Sequence, residues 1–295
     1  MTITLLGSGT SHGVPVIGCD CPVCRSKDAR DSRLRSSILV ETESGAVFVV
    51  DSGCDFRAQA LRCGLHVLDA LFLTHAHADH LHGLDDVRPF TWRTPLPVYG
   101  GGETISALRN RFDYIFKETQ KGGGKPRINT FVIDSAVKFM GVEILPVPVK
   151  HGSLDVLGYI FHENQKKAAY VTDCSFVPGT PPSRVASGGA QPSGDCAESG
   201  KTSFDALADC DALVLGALRV NPHPTHFSFD EAFELIAALR AKSGTLSPLK
   251  KIFFTHISHE SSHMEIKRFC EAAVKRYGLN GASVEPAFDG LKIHI

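Results

Sequence analysis

Thr74-His75-Ala76-His77-Ala78-Asp79-His80 decides the fold of this 295-residue chain, because three imidazoles and a carboxylate crowd together directly after an apolar run. That run, residues 70–74, reads as a β-strand. The ligand-competent side chains are therefore delivered at a strand end, in one small volume. Neutral imidazole and carboxylate suit Zn, Mn or Fe. The bland alternative is a chance histidine-rich surface tract. Working outward, other strand-like segments end in the same chemistry. His151 closes VEILPVPVK, Asp173 closes AAYVTD and His256 closes KIFFTH. Each alone is as readily a capping or surface residue. Four strand ends that each deliver a metal-competent side chain are hard to ascribe to chance.

Strands are expected over 2–6, 37–41, 46–51, 70–74, 142–149, 168–172, 212–216, 251–255 and 291–295, with helices over 55–63, 103–110, 228–241 and 262–277. Ser228 with Glu231 three residues on reads as a capping box. Strands alternating with helices suggest sheets covered by helices on their outer faces. The Pro-, Gly- and Ser-dense residues 178–203 read as a surface loop inserted into one domain spanning 1–295, since the segments on either side each carry part of one site. Formal net charge is −1, so no strong field draws in a long polyanion. The first residues, MTITLLGSGT, lack signal-peptide features, and apolar runs fall far below the ~20 residues of a membrane span. A cytoplasmic protein without a membrane partner is expected. Nine cysteines, three of them within 19–24, read as thiols and metal ligands rather than disulfides.

The His-x-His-x-Asp-His run resembles the signature of the metallo-β-lactamase superfamily. The resemblance implies an αββα sandwich with the site along one edge. It implies two divalent metal ions, Zn or Mn: one on His75, His77 and His151, the other on Asp79, His80 and His256, with Asp173 bridging both. Asp51, in VVDSG, matches the family's buried strand-end aspartate, read as orienting ligands or backbone without touching metal. Two such ions supply a hydroxide near neutral pH and neutralise charge on phosphate or carbonyl oxygen. Asp79 and His226 are the catalytic candidates.

His226 lies in Asn221-Pro-His-Pro-Thr-His226-Phe-Ser228, a proline-stiffened loop before a helix whose N terminus would favour an anion. In the superfamily's phosphodiesterase branches a histidine of this loop contacts the scissile phosphate or protonates the leaving oxygen. A histidine near its own pKa suits that work. His223 and Ser228 are further substrate-binding candidates. Cys19-Asp-Cys21-Pro-Val-Cys24 presents three thiols that need a fourth ligand to close a structural zinc site. The motif is similar to that of the phosphoribosyl cyclic phosphodiesterases of the carbon–phosphorus lyase pathway (PhnP-like), and this resemblance makes His259 the fourth ligand. A metal-dependent phosphodiesterase acting on a cyclic phosphodiester of a small sugar phosphate or nucleotide is the expected function. Rival readings are a transfer-RNA 3′-processing-type endonuclease, a thioesterase or lactonase, and an inactive scaffold. Nucleic acid is the less favoured partner, and a homodimer is left open.

Overall fold

The computed structural model describes residues 1–118, 124–181, 201–243 and 249–295. Fourteen strands and seven α-helices alternate through these residues. The first half contributes β1 (Thr2–Gly7), β2 (Ser37–Glu41), β3 (Val47–Val50), α1 (Phe56–Cys63), β4 (Ala70–Leu73), α2 (Ala78–Leu81), β5 (Leu96–Gly100), α3 (Gly102–Arg111), α4 (Asp113–Phe116) and β6 (Ile128–Val132). The second half adds β7 (Val137–Phe139), β8 (Val142–His151), β9 (Leu154–Glu163), β10 (Lys166–Val171), α5 (Ser203–Ala208), β11 (Ala212–Gly216), α6 (Phe229–Lys242), β12 (Lys251–Thr255), α7 (His263–Arg276), β13 (Ser283–Pro286) and β14 (Lys292–His294). They form two seven-stranded sheets, in the orders β14-β1-β2-β3-β4-β5-β6 and β13-β12-β11-β10-β9-β8-β7.

The burial pattern explains the layers. Ile3, Leu5, Phe48 and Phe72 of the first sheet meet Phe161, Tyr170 and Val214 of the second in a core between the sheets. The alternate residues Leu6, Val49, Leu71 and Leu73 turn outward onto Phe56 of α1 and Leu108 of α3. On the far side Leu213 and Leu215 pack against Phe229 and Phe233 of α6. Strands buried on both faces have no polar face to show, which is why ALFL and ALVLG read as continuous apolar runs. The architecture is the expected αββα sandwich.

β3 to β6 run parallel, as do β10 to β13. Parallel strands end together, and an open α/β sheet gathers its ligands at the carboxyl ends of its strands. The residues following β3, β4, β10 and β12 therefore collect along one edge.

Several strands carry no clear signal in the sequence. β9 forms a ten-residue hairpin partner to β8. β5 contains Pro97, and β6 (INTFV) interrupts its apolar residues with Asn129 and Thr130, and both features weaken a strand pattern. Of the 178–203 segment, 182–200 lie outside the described residues. Its end departs from the loop expectation: Thr202 caps α5 in a capping box with Asp205, and the buried Ser203 donates its hydroxyl to the Pro148 carbonyl at 2.7 Å. No described helix is long and apolar enough to cross a membrane.

Candidate metal centres

Asp51, one residue beyond β3, has a left-handed backbone (φ 66°) and is completely buried. It accepts hydrogen bonds from the Thr74 amide (2.8 Å), the Thr74 hydroxyl (2.8 Å) and His80 Nδ1 (2.7 Å). The last of these fixes an imidazole hydrogen on Nδ1 and turns Nε2 inward. The Ser52 amide donates to the His80 carbonyl and the Gly83 amide to the Ser52 carbonyl, so the β3 exit and α2 touch backbone to backbone. A Cβ on Gly53 would overlap the Asp79 carbonyl oxygen, and one on Gly83 the Gly53 carbonyl oxygen. Only glycine permits this approach. Sequence reasoning missed both glycines, although D-S-G after a strand and H-L-H-G at the end of the histidine run mark them.

Two clusters result. His75, His77 and His151 each bring a ring nitrogen within 4.8 Å of the others, and Asp79, His80, Asp173 and His256 do the same with their ligand atoms. His151 Nδ1 donates to the Thr225 carbonyl at 2.7 Å, which turns Nε2 toward Asp173 at 4.0 Å. Asp173 lies between the clusters. Its Oδ2 is 3.1 Å from His80 Nε2 and its Oδ1 3.1 Å from His256 Nε2. His80 Nε2 is equally 3.1 Å from Asp79 Oδ2. Yet His80 Nε2 and both ring nitrogens of His256 are buried with no hydrogen-bond partner, so these approaches are close in distance without being aligned as hydrogen bonds. Buried nitrogens that face carboxylates without bonding to them are what a coordinated cation would satisfy.

The electrostatics agree. Burial pushes His80 and His256 down, but Asp173 with Asp51 holds His80 well above its ordinary value, and Asp173 holds His256 at about 9. Asp173 sits well below the carboxylate range because His256 and His80 outweigh its burial. His75 and His77 are pushed down by burial and then by neighbouring histidines, so they stay neutral and free to coordinate. The Asp79–Asp173 pair demands positive charge, and divalent ions fit this donor set.

His226 completes the group. Its Nδ1 lies 4.0 Å from Asp173 Oδ1, and its ring centroid is 4.6 Å from that of His151 and 4.8 Å from that of His256. The expectation that it titrates near its ordinary value is corrected: burial and then the His256 cation push it down to about 3, so it rests neutral. His223 lies beside it at 5.1 Å, with Nδ1 turned to the Thr225 hydroxyl at 3.2 Å. Ser228 does not fit a substrate-binding role. It is 1% exposed, its hydroxyl donates to Glu231 at 2.6 Å, and the Glu231 carboxylate also takes the Ser228 amide. This capping box, with Asp230 and Glu231 in the first turn, also closes the α6 N terminus to an anion.

At the other centre, Cys19, Cys21 and Cys24 place their sulfurs 3.4, 3.5 and 3.5 Å from His259 Nδ1. A zinc tetrahedron with Zn–S of about 2.3 Å and Zn–N of about 2.0–2.1 Å has S···N edges of about 3.6 Å. The three separations match those edges, so the set fits one zinc ion. The Cys24 amide lowers the Cys21 thiol to about 6, whereas burial raises Cys24 to about 11. Arg33, which sequence reasoning passed over, anchors the turn between the two centres. It is 1% exposed and donates to the carbonyls of Ser258 (2.6 Å) and Ser261 (3.0 Å), while Asp31 pairs with it at 3.2 Å and takes the His263 amide at 2.6 Å.

Histidine and aspartate clusters at the strand ends of an αββα sandwich define a metal-dependent hydrolase of the metallo-β-lactamase fold. Residues 47–188 match the family described as Beta-lactamase superfamily domain. The crystal structure of a diphosphatase from the PhnP family shares 36% identity with this chain, with a TM-score of 0.77 over 100% of this chain and 97% of that one. The chain belongs to the metallo-β-lactamase superfamily, and within it to the PhnP family. Zn-bound PqqB from Methylobacterium extorquens shares the fold at 17% identity, with a TM-score of 0.66 over 100% of both chains. An octanoyltransferase of Porphyromonas gingivalis (strain ATCC BAA-308 / W83) is 33% identical over 273 residues, 90% of this chain, which spans 48% of that protein's length.

Proposed function

We propose that this chain is a phosphodiesterase that hydrolyses a cyclic phosphodiester of a small sugar phosphate or nucleotide. In this reading His75, His77 and His151 hold one divalent cation, Asp79, His80 and His256 hold a second, Asp173 bridges them, and Cys19, Cys21, Cys24 and His259 hold a structural zinc. The catalytic cations, Zn or Mn, supply a water of lowered pKa and neutralise charge developing on phosphorus-bound oxygens. Asp51 and the Thr225 carbonyl fix the hydrogens of His80 and His151 on Nδ1, keeping both Nε2 atoms available. His226 carries the choice of phosphate: it is a proton-transfer group beside His151, Asp173 and His256 that the proposed ligand sets do not use, and the family member named a diphosphatase supports phosphate chemistry. Neutral at rest, His226 accepts a proton only beside an anionic phosphate, and delivers it to the departing sugar oxygen.

The test is turnover of a panel containing cyclic ribose phosphates, cyclic nucleotides, a nucleoside diphosphate, a linear aryl phosphodiester, an octanoyl thioester and a precursor transfer RNA. Highest kcat/KM on a cyclic phosphodiester is expected. Preference for the thioester would install the acyl reading that the octanoyltransferase relative suggests, preference for transfer RNA the endonuclease reading, and no turnover by metal-loaded protein the scaffold reading.

A further inference from the structure

The loop that carries His223 and His226 contains Pro222 and Pro224, which have no amide hydrogen to donate. Asn221, Pro222 and Pro224 are exposed. Beyond His223 the loop is well tied: the Thr225 carbonyl takes His151, the Phe227 amide reaches the Cys174 carbonyl, and Ser228 caps α6. Its entrance is held differently. Arg219, three residues past β11, donates from Nε to the Asn221 carbonyl (3.3 Å) and from one terminal nitrogen to the Pro222 carbonyl (3.3 Å). Its other terminal nitrogen reaches Glu260 at 2.9 Å, next in sequence to the zinc-site His259. The Arg219 carbonyl accepts the Phe229 amide at the loop's exit. One residue thus grips both ends of the loop.

We propose that Arg219 is a positioning residue that sets His226 over the catalytic cluster, with Glu260 fixing the guanidinium. The rigid guanidinium fork can span two carbonyls and a carboxylate at once, whereas a lysine offers one ammonium point. The inference rests on the reading of His226 as proton donor to a sugar oxygen, and misplacing a donor by about 1 Å can cost 10²-fold in rate.

The experiment combines Arg219→Ala and His226→Ala, singly and together, on a cyclic ribose phosphate and on an aryl phosphodiester, with zinc and catalytic-metal content measured throughout. Arg219→Ala should lower kcat on the cyclic substrate about tenfold with KM within about twofold, and His226→Ala about a hundredfold, within the usual range for general acid catalysis. The double variant should match His226→Ala alone. Both penalties should shrink on the aryl ester, whose phenolate leaves without a proton, and metal contents should not change. Multiplying effects, or a raised KM with unchanged kcat, would show that Arg219 touches substrate itself and overturn the proposal, as would full activity in Arg219→Lys. An unaffected His226→Ala enzyme would instead refute the function reading, and this inference with it. Should Arg219→Ala fold poorly, Glu260→Gln leaves the carbonyl grip in place: it should give a smaller loss that vanishes in the His226→Ala background, and persistence there overturns the idea.

Discussion

Asp51→Asn isolates how ligand orientation depends on a residue outside both ligand sets. The left-handed backbone at φ 66° is no obstacle, because asparagine tolerates that region about as well as aspartate. The change lies in the hydrogen bonds. Aspartate accepts three: two from Thr74 and one from His80 Nδ1. An asparagine oxygen can keep the Thr74 amide, which leaves an NH2 facing the Thr74 hydroxyl and His80 Nδ1. The hydroxyl can rotate to accept. His80 Nδ1 must lose its hydrogen to accept, and a neutral ring then carries the hydrogen on Nε2, where it points at Asp79 and Asp173 and blocks coordination. Alternatively the donors stay opposed, which leaves a buried group unsatisfied at about 1–3 kcal/mol. Loss of such an orienting partner typically weakens metal affinity 10–100-fold. Competition with a chelator on metal-stripped protein measures the affinity, and the structural zinc serves as internal reference. Unchanged catalytic-metal affinity would refute the claim that Asp51 sets the His80 tautomer.

Mild chelation should remove the catalytic ions before the structural zinc, because a closed thiolate site retains metal better than an open nitrogen–oxygen site. Cys21→Ser should lose the zinc and lower Tm first, with activity falling only as the turn bearing His256 loosens; a variant that keeps every metal rules out the Cys, Cys, Cys, His assignment. Metal-stripped protein should weaken as pH rises. His256 titrates at about 9 when folded against 6.5 ordinarily, so its contribution is complete below about pH 6.5 and is lost as pH climbs through about 9. Metal-loaded protein should show the opposite slope in acid, since protons compete with metal; parallel Tm curves for the two forms would contradict this. Thr202→Ala removes the α5 cap and should cost about 1 kcal/mol in urea unfolding.

The histidine–aspartate cluster was readable because four of its metal-competent side chains are near neighbours in sequence and the rest close apolar runs. The capping box at Ser228 was readable too, but what it does to the site was not: a satisfied helix N terminus repels the anion that an open one attracts. Arg33 and Arg219 gave no signal. Both act on backbone carbonyls, and every residue has one, so only the tertiary path shows which they reach. Gly53 and Gly83 stand in plain motifs, yet their need for close approach appears only when the β3 exit meets α2. The depressed pKa of His226 likewise depends on burial beside His256, thirty positions away in the chain.

Asp51, Asp173 and His256 share the left-handed backbone noted for the first, at φ 66°, 42° and 58°. For residues with a Cβ that conformation costs about 1–2 kcal/mol each. Among the described residues, three of the six non-glycine positions with this backbone thus lie on the metal-site edge, and all three are buried ionisable groups. Asp173→Gly would relieve the backbone at that position, yet it would take away the carboxylate that holds His80 and His256 charged and that lies between the two clusters. Backbone relief and site chemistry are thus bound to the same residues, and engineering a more robust enzyme calls for a screen that rewards turnover and thermal endurance together.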